Sequence, residues 1–221
     1  MTLGDVKAQA LQMMGFDEYV DGDNVDDFAE DDNFGPLLRQ MWSAVNRCFA
    51  DLETKRVLPL QRASLPAATG KGTWRRFDYS GIGDLFEVVR LVMETNYSVD
   101  DDHPFLLEDG GTLRVNDYDD TANYAVLYRP KLKRLTAYTD NSTVIGLPMG
   151  DTDNKPENAV LPDALAAAVP YFVKSEVHRF DEPDEAGEAR NFYEAAVEQY
   201  ASRAEISRQG AVQTVYGVDL T

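Results

Sequence analysis

One apolar stripe constrains this chain more than any other feature. Leu38, Met41, Trp42, Val45, Cys48, Phe49 and Leu52 recur at i, i+3, i+4 and i+7 spacing. That spacing gathers all seven on one face of an α-helix, which a strand of period two cannot do. Pro36 suits a first helical turn, Asp51 and Lys55 stand one turn apart with opposite charges, and Pro59 bounds the far end. A helix is therefore predicted from Asn33 or Gly35 to about Val57. So wide an apolar face must be covered by other elements of the chain.

Further helices are legible at both ends. In residues 2–14, Leu3, Val6, Ala10 and Met13 follow helical spacing, and Thr2 with Asp5 forms a capping-box pattern. Late in the chain, Leu165, Ala168, Val169, Phe172, Val173 and Val177 line one face, with Pro170 predicting a kink or restart. Ala186, Ala189, Tyr193, Ala196, Val197 and Tyr200 line another. Asp181 before it suits an N-cap, and Pro183 suits the first turn.

Between these helices the period falls to two. Strands are expected at 74–79, 86–95, 105–107, 113–115, 124–128 and, more weakly patterned, 143–147. Glu108-Asp109-Gly110-Gly111 marks a hairpin. The expected fold class is α+β: a helical bundle of N-terminal helices and a C-terminal antiparallel helix pair, with a small antiparallel β-sheet or sandwich inserted. The expected divisions are a helical part at 1–60 with an acidic linker at 17–32, a β domain at 73–148, a polar loop at 148–161, the helix pair at 161–204, and an extended tail at 205–221.

Charge narrows the function. The chain has 221 residues, with 39 acids against 21 bases and a net charge of −18. A surface that grips nucleic acid needs clustered Lys and Arg, so that class is disfavoured. A conduit that repels phosphate stays open. The charge is segregated: residues 17–32 hold nine acids and no base, whereas 39–76 hold eight bases and two acids. Cys48 is the sole cysteine, so no intrachain disulfide and no cysteine metal cage is expected, and a reducing compartment is the simplest reading. No signal peptide and no transmembrane helix is expected.

No catalytic, cofactor or metal residue is assigned. His178 lies among Glu176, Asp181, Glu182, Asp184 and Glu185. Glu176 and His178, two apart on a helix, point about 200° apart and cannot chelate one ion. The acids from Asp184 to Glu188 suit the first turn of the next helix, where the macrodipole favours negative charge. Loops starting at Asp21 and Asp151 break the calcium-hand pattern at Val25 and Lys155, although a loose divalent site in 17–32 stays open. His103 beside Asp100, Asp101 and Asp102 reads as part of a surface loop. Cys48 reads as a small core residue. The nucleotide-binding glycine motifs, the serine-nucleophile elbow and the zinc-protease helix motif are all absent, and 70–73 reads as a flexible turn. Arg75 and Arg76 read as a solvated face or an interface and are assigned to an oligomer or portal interface, with a small nucleic-acid contact beside Trp74 as the alternative. Val212, Val215, Tyr216 and Val218 give the tail an interface character, with a frayed terminus as the alternative.

The layout itself carries a resemblance. Leu161-Pro162-Asp163, the run from Ala168 to Glu176, Asp181-Glu182-Pro183, and the run from Glu188 to Ala196 resemble the C-terminal helix pair of tailed-bacteriophage head–tail connector proteins. Tyr128-Arg129-Pro130, Thr139-Asp140 and Leu147-Pro148 resemble the β-insertion of that group, which is similar in layout to the tail tubular A-type proteins. The likeness covers about residues 120–221 at motif level. It implies an adaptor or neck ring, commonly of twelve subunits, assembled in the host cytoplasm and placed in the virion. Such a ring docks to a portal protein on one side and a downstream tail or stopper protein on the other. Genomic DNA passes through it without specific binding. Two alternatives from other classes are an assembly chaperone that forms no ring and a divalent-metal enzyme with an acidic site.

Overall fold

The structure is a computed structural model. It describes residues 1–20, 25, 34–70, 74–94, 101–116 and 118–215, with backbone alone at 94, 101 and 204–215. The fold is α+β. Helix α1 (Leu3–Met13) opens with the expected capping box: Thr2 Oγ1 accepts from Asp5 N at 3.2 Å, and the Asp5 carboxylate accepts from Thr2 N at 2.6 Å. Helix α2 (Gly35–Thr54) carries the stripe, and Leu38, Met41, Val45, Cys48, Phe49 and Leu52 are all buried. It ends three residues before the predicted Val57, where Arg56 takes φ 57°. Most of segment 17–32 lies outside the described residues; Asp17–Tyr19 forms a 3₁₀ turn and Val25 is buried.

Pro170 acts as the pattern implied. The chain makes a short helix α3 (Asp163–Ala166) and restarts as α4 (Val169–Val177) with Pro170 in the first turn. Helix α5 spans Pro183–Val215. Because it starts at Pro183, the cap position is Glu182 and not Asp181. Residues 205–215 are helical, which corrects the expected extended tail: the weak apolar period there hid a continuation of α5. One core joins Leu3, Val6 and Leu11 of α1, the α2 stripe, Phe172 and Val173 of α4, and Tyr193 and Val197 of α5. Each fully buried side chain of this size contributes about 1.5–3 kcal/mol.

The inserted part forms two antiparallel sheets. Strands β1 (Gln61–Ser64), β2 (Arg75–Asp78), β3 (Leu85–Glu94), β4 (Asp101–Asp102), β5 (Phe105–Glu108), β6 (Thr112–Val115) and β7 (Asn123–Pro130) follow in sequence. The first sheet has the order β1-β7-β3-β4 and the second β2-β6-β5. Phe77, Leu113 and Val115 of the second pack with Val88, Leu91, Val126 and Tyr128 of the first in a separate cluster. The β5–β6 hairpin turns at Asp109-Gly110-Gly111, both glycines at φ 79°.

The run 143–147 is not a strand; it makes only an isolated bridge from Val144 to Thr2. Its polar groups serve other partners: Leu3 N donates to Thr143 O at 2.9 Å, and Ile145 N to Met1 O at 3.1 Å. Leu132, Leu135 and Ile145 join the helical core. The second cluster reaches no further than Tyr128, so the expected boundary at 148 belongs near Pro130. Side chains of α2 hold this irregular stretch. The Glu53 carboxylate, 6% exposed, accepts from Leu132 N at 2.7 Å and from both Arg134 Nη atoms at 3.0 and 2.6 Å. The Asn46 amide exchanges two hydrogen bonds with the Leu135 backbone, at 2.9 and 3.1 Å, and Trp42 Nε1 donates to Leu135 O at 3.1 Å. Buried Lys7 of α1 donates to Tyr138 O and, at 2.7 Å, to Asn141 Oδ1.

Gly146 sits at φ 77°, and a Cβ there would lie 2.2 Å from Leu161 Cβ, whereas one at Gly150, at φ 94°, would meet nothing within 4 Å. Gly146→Ala is expected to cost about 3 kcal/mol in urea unfolding, and Gly150→Ala about 1 kcal/mol. Arg134→Ala leaves the Glu53 carboxylate buried without its counter-charge and is expected to cost about 3 kcal/mol in the same assay. Arg134→Lys should recover part of that loss, since it restores charge without the fork.

Candidate functional site

The turn between α4 and α5 gathers four ionisable side chains. Lys174, His178 and Glu182 are spaced by four residues, and Glu185 follows by three. This helical period survives the break because the turn keeps helix-like bonds: Glu182 N donates to His178 O, and Ala186 N to Glu182 O, both at 3.0 Å. Four side chains therefore converge. His178 Nδ1 lies 3.0 Å from Glu182 Oε2, and Lys174 Nζ lies 2.7 Å from Glu185 Oε2. The His178 ring is 11% exposed; its Nε2 is buried without a hydrogen bond among the described residues. The hydrogen bond from Lys174, and then its charge, hold the Glu185 carboxyl below the usual range. That contribution to stability is present above the ordinary glutamate range and is lost as pH falls through the lowered value.

Glu176 points the other way, as its two-residue offset from His178 requires. It meets Arg47 at 3.1 Å and Arg190 at 3.9 Å. Glu182 and Glu185 are legible beside His178 in the sequence, but the capping argument assigns these acids to the turn and to the start of the next helix; that assignment conceals the face they share with Lys174 and His178 across the break. Chemically, one imidazole nitrogen and two carboxylate oxygens within 4.8 Å of one another can hold a divalent ion. In this fold, however, Lys174 supplies the positive charge. Its ammonium also donates to Met13 O at 2.8 Å, which locks the turn to the end of α1.

Behind this turn, α5 and α2 share a polar seam. The Tyr193 hydroxyl, on a fully buried ring, donates to Asp51 Oδ2 at 2.7 Å. Lys55 meets Asp51 at 2.7 Å, as the one-turn spacing implied, and Glu194 at 2.6 Å. Arg190 meets Glu194 at 2.9 Å and lies over the Phe172 ring at 4.6 Å. Burial pushes both the Tyr193 hydroxyl and the Cys48 thiol well above their usual ranges. Cys48 is thus a protonated core thiol without nucleophilic character.

The remaining sequence candidates are dispersed. His103 Nε2 lies 2.8 Å from Asn116 O, while Asp102 binds Arg90 at 2.6 Å, so these two do not converge. Asp151 accepts from Asp153 N and Asn154 N, both at 3.0 Å, and closes a turn. Residues 71–73 lie outside the described residues. Arg76 is bound to Glu108 at 2.7 Å, and Arg75 lies 5.3 Å from the Tyr118 ring centre. Val212 and Val215 fall on the last turns of α5, where the backbone alone is described; Tyr216 and Val218 lie outside the described residues. The exposed large apolar side chains include Trp74 just before β2, Leu106 and Leu107 of β5, Phe86 of β3, Met149 in the irregular stretch, Phe180 at the α4–α5 turn and Phe192 on α5.

No protein-family model matches this sequence, and no curated protein matches it.

The role of Lys174 is open to measurement. Lys174→Met removes the resident cation and frees Glu185. The variant is expected to bind Zn²⁺ about tenfold more tightly than the parent chain in isothermal titration. Equal affinities would show that Lys174 does not hold the cation's place.

Proposed function

We propose that this chain is a structural assembly protein, a head–tail adaptor of a tailed bacteriophage. In this reading it docks to a portal protein, forms a ring of about the twelve copies that the resemblance implies, and presents a surface to a tail or stopper protein. DNA passes through the ring without being gripped. The observation that carries the reading is α5. Its 33 residues span about 50 Å. The last described side chain packed against the core is Tyr200, and the helix runs fifteen residues further. Such a helix suits an arm that reaches a neighbour. The same helix exposes Asp184, Glu188 and Glu198, which make no ion pair among the described residues. Unanswered acids suit a contact with a basic surface of a neighbour. Among the described residues, no helix is long and apolar enough to cross a membrane.

The test is co-assembly. Full-length protein mixed with the portal protein of its own genome is expected to give ring-shaped complexes by negative-stain microscopy, with both proteins in one light-scattering peak. A chain that stays single-copy and unbound beside the portal overturns the reading. Deleting 205–221, which removes the far end of the arm, is expected to abolish portal binding with little change in the melting temperature. Unchanged binding would take the docking role away from that segment.

A further inference from the structure

The face of the second sheet turned away from its core carries an unusual set of side chains. Arg76 stands opposite Arg114 in the β2–β6 register, and Leu106 of β5 completes that row. Trp74 stacks on Arg114, with the guanidinium carbon 4.5 Å from the ring centre. Trp74 is 44% exposed and Leu106 51% exposed, so the row is apolar as well as charged. One carboxylate answers both guanidiniums: Glu108 meets Arg76 at 2.7 Å and Arg114 at 3.3 Å. Asp78, one row along, is turned back onto Ser80 N at 2.8 Å. The guanidiniums therefore gather at the end of the face nearest Trp74 and the carboxylates one row further, on a chain of net −18. Aromatic and Arg side chains set together are the composition of interface anchors.

The exposed face of α5 is its complement. Asp184, Glu188, Asn191, Phe192, Ala195 and Glu198 follow helical spacing and are all exposed. Phe192 is 62% exposed, and its ring lies tilted by 37° against Tyr171, with centroids 5.5 Å apart. An apolar ring thus stands between acids without partners among the described residues, where the sheet presents Trp74 and Leu106 between bases.

We infer that the sheet face of Trp74, Arg76, Leu106 and Arg114 is the docking surface for a second copy of this chain, which presents the Asp184–Glu188–Phe192–Glu198 face of its α5. The inference rests on the ring reading and names the contact that would build the ring. Made once between each pair of neighbours, as a ring requires, the contact is heterologous, and repeating it gives a closed ring or a filament. Opposite charges steer the approach and are weakened by salt, while Trp74, Leu106 and Phe192 supply the desolvated centre.

The experiment uses the full chain, alone and with the portal protein, by sedimentation velocity across a concentration series. One variant carries Arg76→Glu and Arg114→Glu; the other carries Glu188→Lys and Glu198→Lys. Each alone is expected to weaken self-association at least about tenfold. Mixed in equal amounts, they should associate again, because each reversed face then meets a reversed partner. A misfolded variant could not be rescued in this way. Wild-type assembly left unchanged by both variants, or variants that stay apart when mixed, would overturn this contact and leave the ring reading standing. A wild-type chain that stays single-copy under all conditions would overturn both.

Discussion

The Glu53 carboxylate is the joint on which the two halves of the fold depend. A chain that leaves a sheet and crosses a helical core without regular structure buries amides that water can no longer reach. Residues 131–138 make that crossing. Glu53 receives Leu132 N and the fork of Arg134, Asn46 closes both polar groups of Leu135, and Lys7 caps Tyr138 O. These side chains do for the irregular segment what a strand partner does for β7. The chain just beyond it supplies acceptors in return: Asn141 O and Thr143 O take the first amides of α1, which no turn of that helix can satisfy. The N-terminal helix, the long helix and the exit from the sheet are thus fixed to one another by polar groups, while the α2 stripe supplies most of the apolar burial.

This division explains what was legible in the sequence. Periodic elements with local signals were readable: the α2 stripe, the Thr2–Asp5 box, the Asp51–Lys55 pair and the Gly110-Gly111 hairpin all encode their structure within a few residues. Elements defined by distant partners were not. Gln61-Arg62-Ala63-Ser64 has little strand character and becomes β1 by pairing with Ala125 to Tyr128 of β7. The run 143–147 has more strand character and is none, because its amides and carbonyls are claimed by the N-terminus and by the Gly146 turn. A buried Lys7 reads as an exposed helical lysine until the chain 131 residues away is in place.

The cluster at His178 was half legible for a related reason. Spacing correctly separated Glu176 from His178, since that argument needs only a helix. Convergence with Glu182 and Glu185 needs the turn to continue at four residues per step past the end of α4, and Pro183 argued for a break. The turn satisfies both demands: Pro183 lacks the amide that a first helical position leaves unused, and Glu182 N still reaches His178 O.

The distribution of paired and unpaired acids also bears on assembly. Inward-facing acids of α2, α4 and α5 are answered: Asp51 by Lys55 and Tyr193, Glu176 by Arg47 and Arg190, Glu194 by Lys55 and Arg190. Acids without a counter-charge among the described residues stand on outward faces, as Asp184, Glu188 and Glu198 do. Two copies related by a twofold axis through α5 would set these acids against their own images, which costs free energy at any salt concentration that leaves the Debye length near 8–10 Å. Burial of Phe192 against another copy consequently requires a different surface on that copy, one with bases beside apolar side chains. Where such a contact between unlike faces is made once per pair of copies, one face of each kind stays free, and further copies add in the same sense; where it is made reciprocally about a twofold axis, the pair closes on itself.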